Sequence, residues 1–253
     1  MMDFAAPLAQ LLGVAEGLVL QVMLVFVRVG AAVALLPGIG EQAVPQRIKL
    51  AVAVALTVIV APAVPPPGGT GFGALAVEAV AGLILGVGLR LMILALQTAG
   101  TIAAQSITLA QMFAGTGPEP QPIVANLFTL AGIALFLGMG GLPRAVELLV
   151  LSYDLMPPGH PPDPGALAGW GVARGAQVLA LGFSLAAPFV LASLLYNLTL
   201  GVMNRAMPQL MVTMIGAPAL TLGGLALLAL ATPALLAVWR GAMAQALATP
   251  FAG

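Results

Sequence analysis

Ala74-Leu-Ala-Val-Glu78-Ala-Val-Ala-Gly82-Leu-Ile-Leu-Gly86-Val-Gly88-Leu-Arg90-Leu-Met-Ile-Leu-Ala-Leu-Gln-Thr98 contains only two charged residues and no proline. An α-helix of about 20 mostly apolar residues crosses a hydrocarbon layer roughly 30 Å thick, and this run exceeds that length. Its apolar residues are continuous rather than alternating, so it does not read as a strand of a membrane barrel. The stretch is a membrane-spanning helix, and five more like it lie along the chain. They run from about Leu8 to Leu36, Ile48 to Val64, Ile123 to Leu142, Val172 to Val202 with an interruption at Pro188, and Ala217 to Trp239. The breaks between them are punctuated by Pro37-Gly38, Pro62 to Gly69, Gly115 to Pro122 and Pro157 to Pro164, which are turn-forming clusters. The predicted fold is all-α: a polytopic integral membrane protein of about six hydrophobic helices with Pro/Gly breaks.

Composition agrees with this reading. Of 253 residues 61% are hydrophobic and 6% charged, where a soluble domain has about 25% charged. Eight Lys and Arg balance eight Asp and Glu, so no basic excess exists to neutralise nucleic-acid phosphates, and nucleic acid is excluded as a partner. Cysteine is absent and histidine occurs once. Disulfides, thiol nucleophiles and multi-histidine metal sites within one chain are thereby removed, and no metal or cofactor is expected. The first charges, Asp3 and Glu16, are acidic and the first apolar run outlasts a cleavable signal core, so it reads as a retained span. No break is long enough to hold a separate domain, and residues 1–253 read as a single membrane-embedded unit. Arg47 and Lys49 follow the first span and Arg205 follows the fifth. The positive-inside rule puts these linkers in the cytoplasm and both termini outside, although Arg144 and Arg240 fall on the opposite side.

Glu16, Arg28, Glu78, Arg90 and Glu147 lie in or beside apolar runs, where an unpaired charge costs at least ~2.5 kcal/mol. Glu16 and Arg28 stand 12 positions apart, as do Glu78 and Arg90, which separates each pair by roughly 18 Å along a helix. Neither pair closes within its own helix. Pairing between helices, or snorkelling to the interface, is favoured over a proton relay or a pore lining. Gly82 and Gly86 form a small-xxx-small pair for close helix packing, within the chain or against another subunit. No metalloprotease helix, phosphate-binding loop or nucleophile elbow occurs. His160 sits in Pro157-Pro158-Gly159-His160-Pro161-Pro162 without a neighbouring nucleophile, and Tyr153-Asp154 lacks a second carboxylate, so an enzyme is not expected.

Two further features stand out. In Leu109-Ala-Gln-Met112-Phe113-Ala-Gly115-Thr-Gly117-Pro118-Glu-Pro-Gln-Pro122 an apolar start precedes a run that cannot stay helical. At membrane depth such backbone must be enclosed by protein or line an aqueous cavity, so the alternatives are a re-entrant gate element and a plain solvent loop. Met203, Met207, Met211 and Met214 recur at helical spacing around Pro208. They suit either core packing or an adaptable seal, a gasket of flexible thioethers.

Phe26-Val-Arg28, Leu36-Pro37 and Val44-Pro45-Gln-Arg47-Ile-Lys49-Leu-Ala51 resemble the first two helices of the FliR family, a component of the bacterial flagellar type III export gate. Gly201-Val-Met-Asn204-Arg205-Ala-Met-Pro208-Gln209, followed by Ile215-Gly216-Ala-Pro218, is the more specific match. The resemblance covers essentially the whole chain. It implies a structural pore subunit that assembles with FliP and FliQ into a helical export-gate complex in the inner membrane and flagellar basal body. It also implies work with FlhA and FlhB to pass unfolded flagellar subunits outward. Many helices of such a complex are lifted toward the periplasm. The segment Leu109, Met112, Phe113, Gly115, Gly117, Pro118 then reads as a plug or gate loop. Arg28, Pro37, Pro45, Arg47, Asn204, Arg205, Pro208 and Gln209 become family-motif and partner-contact positions, with Arg47, Lys49 and Arg205 facing partner acids or anionic lipid headgroups. Ala103-Ala-Gln105-Ser-Ile107 and the proline-rich Gly117 to Pro122 depart from the family pattern. The alternatives are the homologous subunit of a virulence injectisome and a proton-coupled small-solute transporter using Glu16, Glu78 or Glu147.

Overall fold

The computed structural model describes residues 5–66, 72–112, 123–206 and 212–250. Among them are seven α-helices and no strand: α1 (Ala5–Leu35), α2 (Gln46–Val60, continued by a 3-10 turn at Ala61–Ala63), α3 (Phe72–Met112), α4 (Ile123–Gly138), α5 (Gly141–Leu155), α6 (Pro164–Ala206) and α7 (Val212–Ala248). α1, α2 with its turn, α3, α6 and α7 are each long and apolar enough to span, and α4 with α5 makes a sixth candidate as a bent pair. The all-α polytopic class and the span number follow the sequence reading. Several boundaries do not.

The third helix continues past Thr98 to Met112. Ala99 to Met112 contains no proline, and two of its polar side chains are satisfied within the helix: Thr101 and Ser106 donate to the carbonyls of Gln97 (2.9 Å) and Ile102 (2.8 Å). α6 begins at Pro164, where a first-turn proline costs no hydrogen bond, and runs unbroken through Pro188. In an apolar surrounding a helix that loses one bond still satisfies more backbone than any irregular alternative. The fourth apolar run divides instead. Gly140 has φ +75°, a left-handed conformation that glycine adopts without a Cβ penalty, and α4 and α5 meet there at 72°.

The packing resolves into two compact units. One combines Met1–Arg90, Phe136–Val172 and Gln245–Gly253; the other combines Leu91–Leu135 and Ala173–Ala244. In the first, α1 and α2 form an antiparallel hairpin around Val25, Val29, Val33, Ala53 and Val60, with Leu85 of α3 and Leu149 and Tyr153 of α5 in the same core. The Gln21 amide closes the far end of the hairpin by donating to the carbonyls of Ala61 (3.1 Å) and Val64 (2.9 Å). α3 runs parallel to α1 and touches it through glycines. A Cβ on Gly82 would lie 2.1 Å from the Arg28 carbonyl oxygen, and one on Gly86 would lie 2.8 Å from the Leu35 side chain. The small-xxx-small pair is therefore used within the chain. In the second unit Trp239 is fully buried, and its indole N–H donates to the Met92 carbonyl at 2.7 Å.

Candidate functional site

The parallel contact of α1 and α3 brings together two of the charges that the sequence isolates. Arg28 and Glu78 are both fully buried and form a two-pronged ion pair. Arg28 Nε donates to Glu78 Oε2 at 2.7 Å and Nη2 to Oε1 at 3.1 Å. Nη1 donates to Ser152 Oγ at 3.0 Å and Nη2 also to the Met156 carbonyl at 2.8 Å. Four of the five guanidinium N–H bonds are thus used, which is the saturation a buried cation requires. Ser152 Oγ in turn donates to the Leu149 carbonyl (2.6 Å), while Glu78 Oε1 accepts from the Gly159 N–H (3.3 Å). The guanidinium carbon lies 3.6 Å from the Tyr153 ring centroid, a cation–π contact. The Tyr153 hydroxyl is buried with no hydrogen-bond partner among the described residues. The arrangement clamps α1, α3, α5 and the following loop together, and both Glu78 carboxylate oxygens are engaged within it.

Arg90, two turns beyond Gly82 on α3, pairs with Glu41 in the loop after α1. Glu147 pairs with Arg144 at 3.0 Å one turn away on the exposed side of α5, and Glu16 is exposed on α1. The repeated Glu-Arg spacing pairs nowhere within itself, and the two long-range pairings each join separate elements. Charge type and number identified Arg28 and Glu78 as needing partners, but Glu41, Ser152, Tyr153, the Met156 carbonyl and Gly159 carried no sequence signal of their part in these clusters. Their roles depend on helix register.

The other positions singled out by sequence are spread out. Pro37 is buried in the turn after α1, Pro45 directly precedes α2, and Arg47 is exposed in its first turn. Arg28 makes its contacts inside the chain, so its family-motif position is a core position and not a partner-facing one. Met203, Asn204 and Arg205 are exposed in the last turn of α6. Leu109 and Met112 belong to the last turn of α3, which corrects their reading as loop, and Met214 belongs to α7. Phe113, Gly115, Gly117, Pro118, Met207, Pro208, Gln209 and Met211 lie outside the described residues, so most of the gate-loop and methionine readings fall there too. His160 is an exposed loop residue whose Nδ1 lies 3.2 Å from the Pro158 carbonyl.

Long apolar helices, a buried charge clamp satisfied within the chain, and broad exposed apolar faces define a polytopic α-helical membrane protein. The chain belongs to the bacterial export proteins, family 1, whose profile matches residues 19–246. It is 36% identical over 228 residues to the flagellar biosynthetic protein FliR of Caulobacter vibrioides, covering 85% of this chain and 90% of that protein. It is 29% identical over 214 residues to FliR of Escherichia coli, covering 81% and 82%. With FliR of Pectobacterium carotovorum it shares 30% over 218 residues, 82% of each chain.

Proposed function

We propose that this chain is a structural pore subunit of the flagellar type III protein export gate. In this reading it acts as one membrane-embedded unit, assembles with FliP and FliQ, and works with FlhA and FlhB in the inner membrane at the basal body to pass unfolded flagellar subunits. Membership of an export family with relatives named as flagellar biosynthetic proteins supports the flagellar system over an injectisome. The observation that carries the subunit reading is helix length. α3 and α6 have 41 and 43 residues, a contour of roughly 60 Å, about twice the hydrocarbon thickness. α6 exposes large apolar side chains from Val172 through Leu179, Phe183, Leu191 and Leu198 to Val202, a run of roughly 45 Å. A hydrocarbon core of about 30 Å covers some two thirds of that run, and the remainder needs protein.

Asn204 and Arg205, exposed at the end of α6, are the positions through which the Asn-Arg-x-x-Pro-Gln motif contacts partners. Pro37 and Pro45 shape the turn between α1 and α2, and Arg47 lies beside it. The segment 109–122 supplies the plug, and Met203, Met207, Met211 and Met214 the flexible seal. No catalytic step is assigned to the chain. A solute transporter gains no support from Glu78, whose two oxygens both accept from Arg28. The test is an affinity pull-down of the tagged chain from gently solubilised native membranes, with mass spectrometry of what accompanies it. FliP- and FliQ-like proteins are the expected catch. Recovery of the chain alone, under conditions that preserve other membrane complexes, overturns the proposal.

A further inference from the structure

We infer that the groove between α1 and α2 is a binding site for one anionic phospholipid. The groove has a volume of about 390 Å³ and is bordered by Phe26, Gly30 and Ala34 of α1, Leu50 of α2, and the cationic pair Arg47 and Lys49. A Cβ placed on Gly30 meets nothing within 4 Å, so the absence of a side chain there leaves room that the chain itself does not fill.

Charge and the division of the groove into a cationic mouth and an apolar floor select the occupant. No acid borders the groove among the described residues, and Glu41, the acid in the adjoining loop, is already held by Arg90. Arg47 is exposed and pairs with no acid among the described residues. Lys49 uses one ammonium hydrogen on the Gly40 carbonyl at 3.1 Å and keeps two for another acceptor. The mouth therefore carries two uncompensated positive charges over an apolar trough. A polar, anionic head on an apolar tail matches that division. The span Gln46–Ala63 has 18 residues, a length close to the roughly 30 Å of the hydrocarbon core, so cations in its first turn lie at headgroup depth. An acyl chain can lie along this trough while the phosphate of the same lipid accepts hydrogen bonds from Arg47 and Lys49. Each cation near a membrane surface favours an anionic lipid by about fivefold.

The experiment uses the full-length chain, delipidated in detergent and titrated with an equimolar mixture of phosphatidylglycerol and phosphatidylcholine of matched acyl chains. Native mass spectrometry counts the lipids retained. The first adduct should favour phosphatidylglycerol by at least fivefold, and Arg47→Gln with Lys49→Gln should bring the ratio within twofold of unity. Gly30→Leu should remove the first adduct of either lipid with both cations in place, whereas Arg144→Gln, on the exposed side of α5, should change nothing. Arg47→Lys, which keeps the charge, should retain the preference and guards against a folding artefact, as does an unchanged melting temperature for each variant. Equal retention of both lipids by the unaltered chain overturns the inference. So does a preference that survives both the double substitution and Gly30→Leu. If the double substitution instead costs recovery of a partner protein while lipid preference stays, the groove seats protein and the inference fails.

Discussion

Arg28 and Glu78 are each tolerable at 0% exposure only because the other is present. Removing one partner of a buried pair leaves an uncompensated charge and costs about 3–5 kcal/mol, whereas replacing both by apolar residues of similar volume is often near neutral. Arg28→Met and Glu78→Met should therefore each lower the unfolding midpoint in detergent strongly, and the double variant should recover most of the loss. A double-mutant cycle on the unfolding free energy measures this, and additive effects would contradict the clamp. Arg28→Lys should behave like a loss, since an ammonium cannot reach two carboxylate oxygens, Ser152 and the Met156 carbonyl in the planar geometry the guanidinium supplies. That these two residues needed partners was legible from their type in an apolar run. Which partner each takes was not, because 12 residues of helix separate each charge from its nearest opposite on the same segment, and pairing is set by how separate helices align.

At the scale of elements, the contact of α1 with α3 depends on Gly82, and the bend between α4 and α5 on Gly140. Gly82→Leu forces a Cβ into a space only 2.1 Å from the Arg28 carbonyl oxygen. Overpacking of this kind costs about 1–3 kcal/mol or more; it should also separate Arg28 from Glu78, whereas Gly201→Ala, which meets nothing within 4 Å, should be neutral. Thermal melting of the purified variants distinguishes them. Gly140→Val places a branched side chain at φ +75°, where a non-glycine residue is strained by roughly 1–2 kcal/mol. Reduced yield of folded protein is the expected reading, with Gly138→Ala, in open space two residues earlier, as the control. The elements themselves were mostly legible: their apolar centres fall where hydropathy put them. Their ends were not, because Thr101 and Ser106 satisfy themselves inside the helix and so give no stop signal, and because a proline at Pro188 is overridden when no water waits to take the freed carbonyl.

For the whole molecule, the predictions concern assembly and sidedness. Arg205→Glu reverses an exposed charge at the end of α6 and should reduce recovery of the assembled complex and impair swimming. Normal motility with unaltered complex yield would show the charge to be dispensable. Deleting residues 115–120 should let ions leak through an assembled gate and slow growth, and unchanged conductance would remove the plug assignment. Because the chain has no cysteine, single cysteines at Ala43 and Asn204 can be probed with a membrane-impermeant maleimide. Both should react from the same, cytoplasmic side, while His160→Cys should react from the other if α4 and α5 together form one span. Labelling of His160→Cys from the same face as Ala43→Cys, with Asn204→Cys reacting from the opposite face, would make the bent pair re-entrant.

The sequence by itself determined the class of this protein. Length of apolar run, absence of alternation and scarcity of charge leave a polytopic helical membrane protein as the solution in which backbone groups stay satisfied without water, and the Asn204-Arg205 motif carried the family. Composition and motif are local quantities, written along one chain. Tertiary structure alone decided that Gly82 and Gly86 pack within the chain, that Arg28 chooses Glu78, and that Gly30 leaves a trough beside Arg47 and Lys49. Each of these depends on the rotation and offset of one helix against another, which are fixed by the summed fit of side chains across the interface rather than by any residue taken singly.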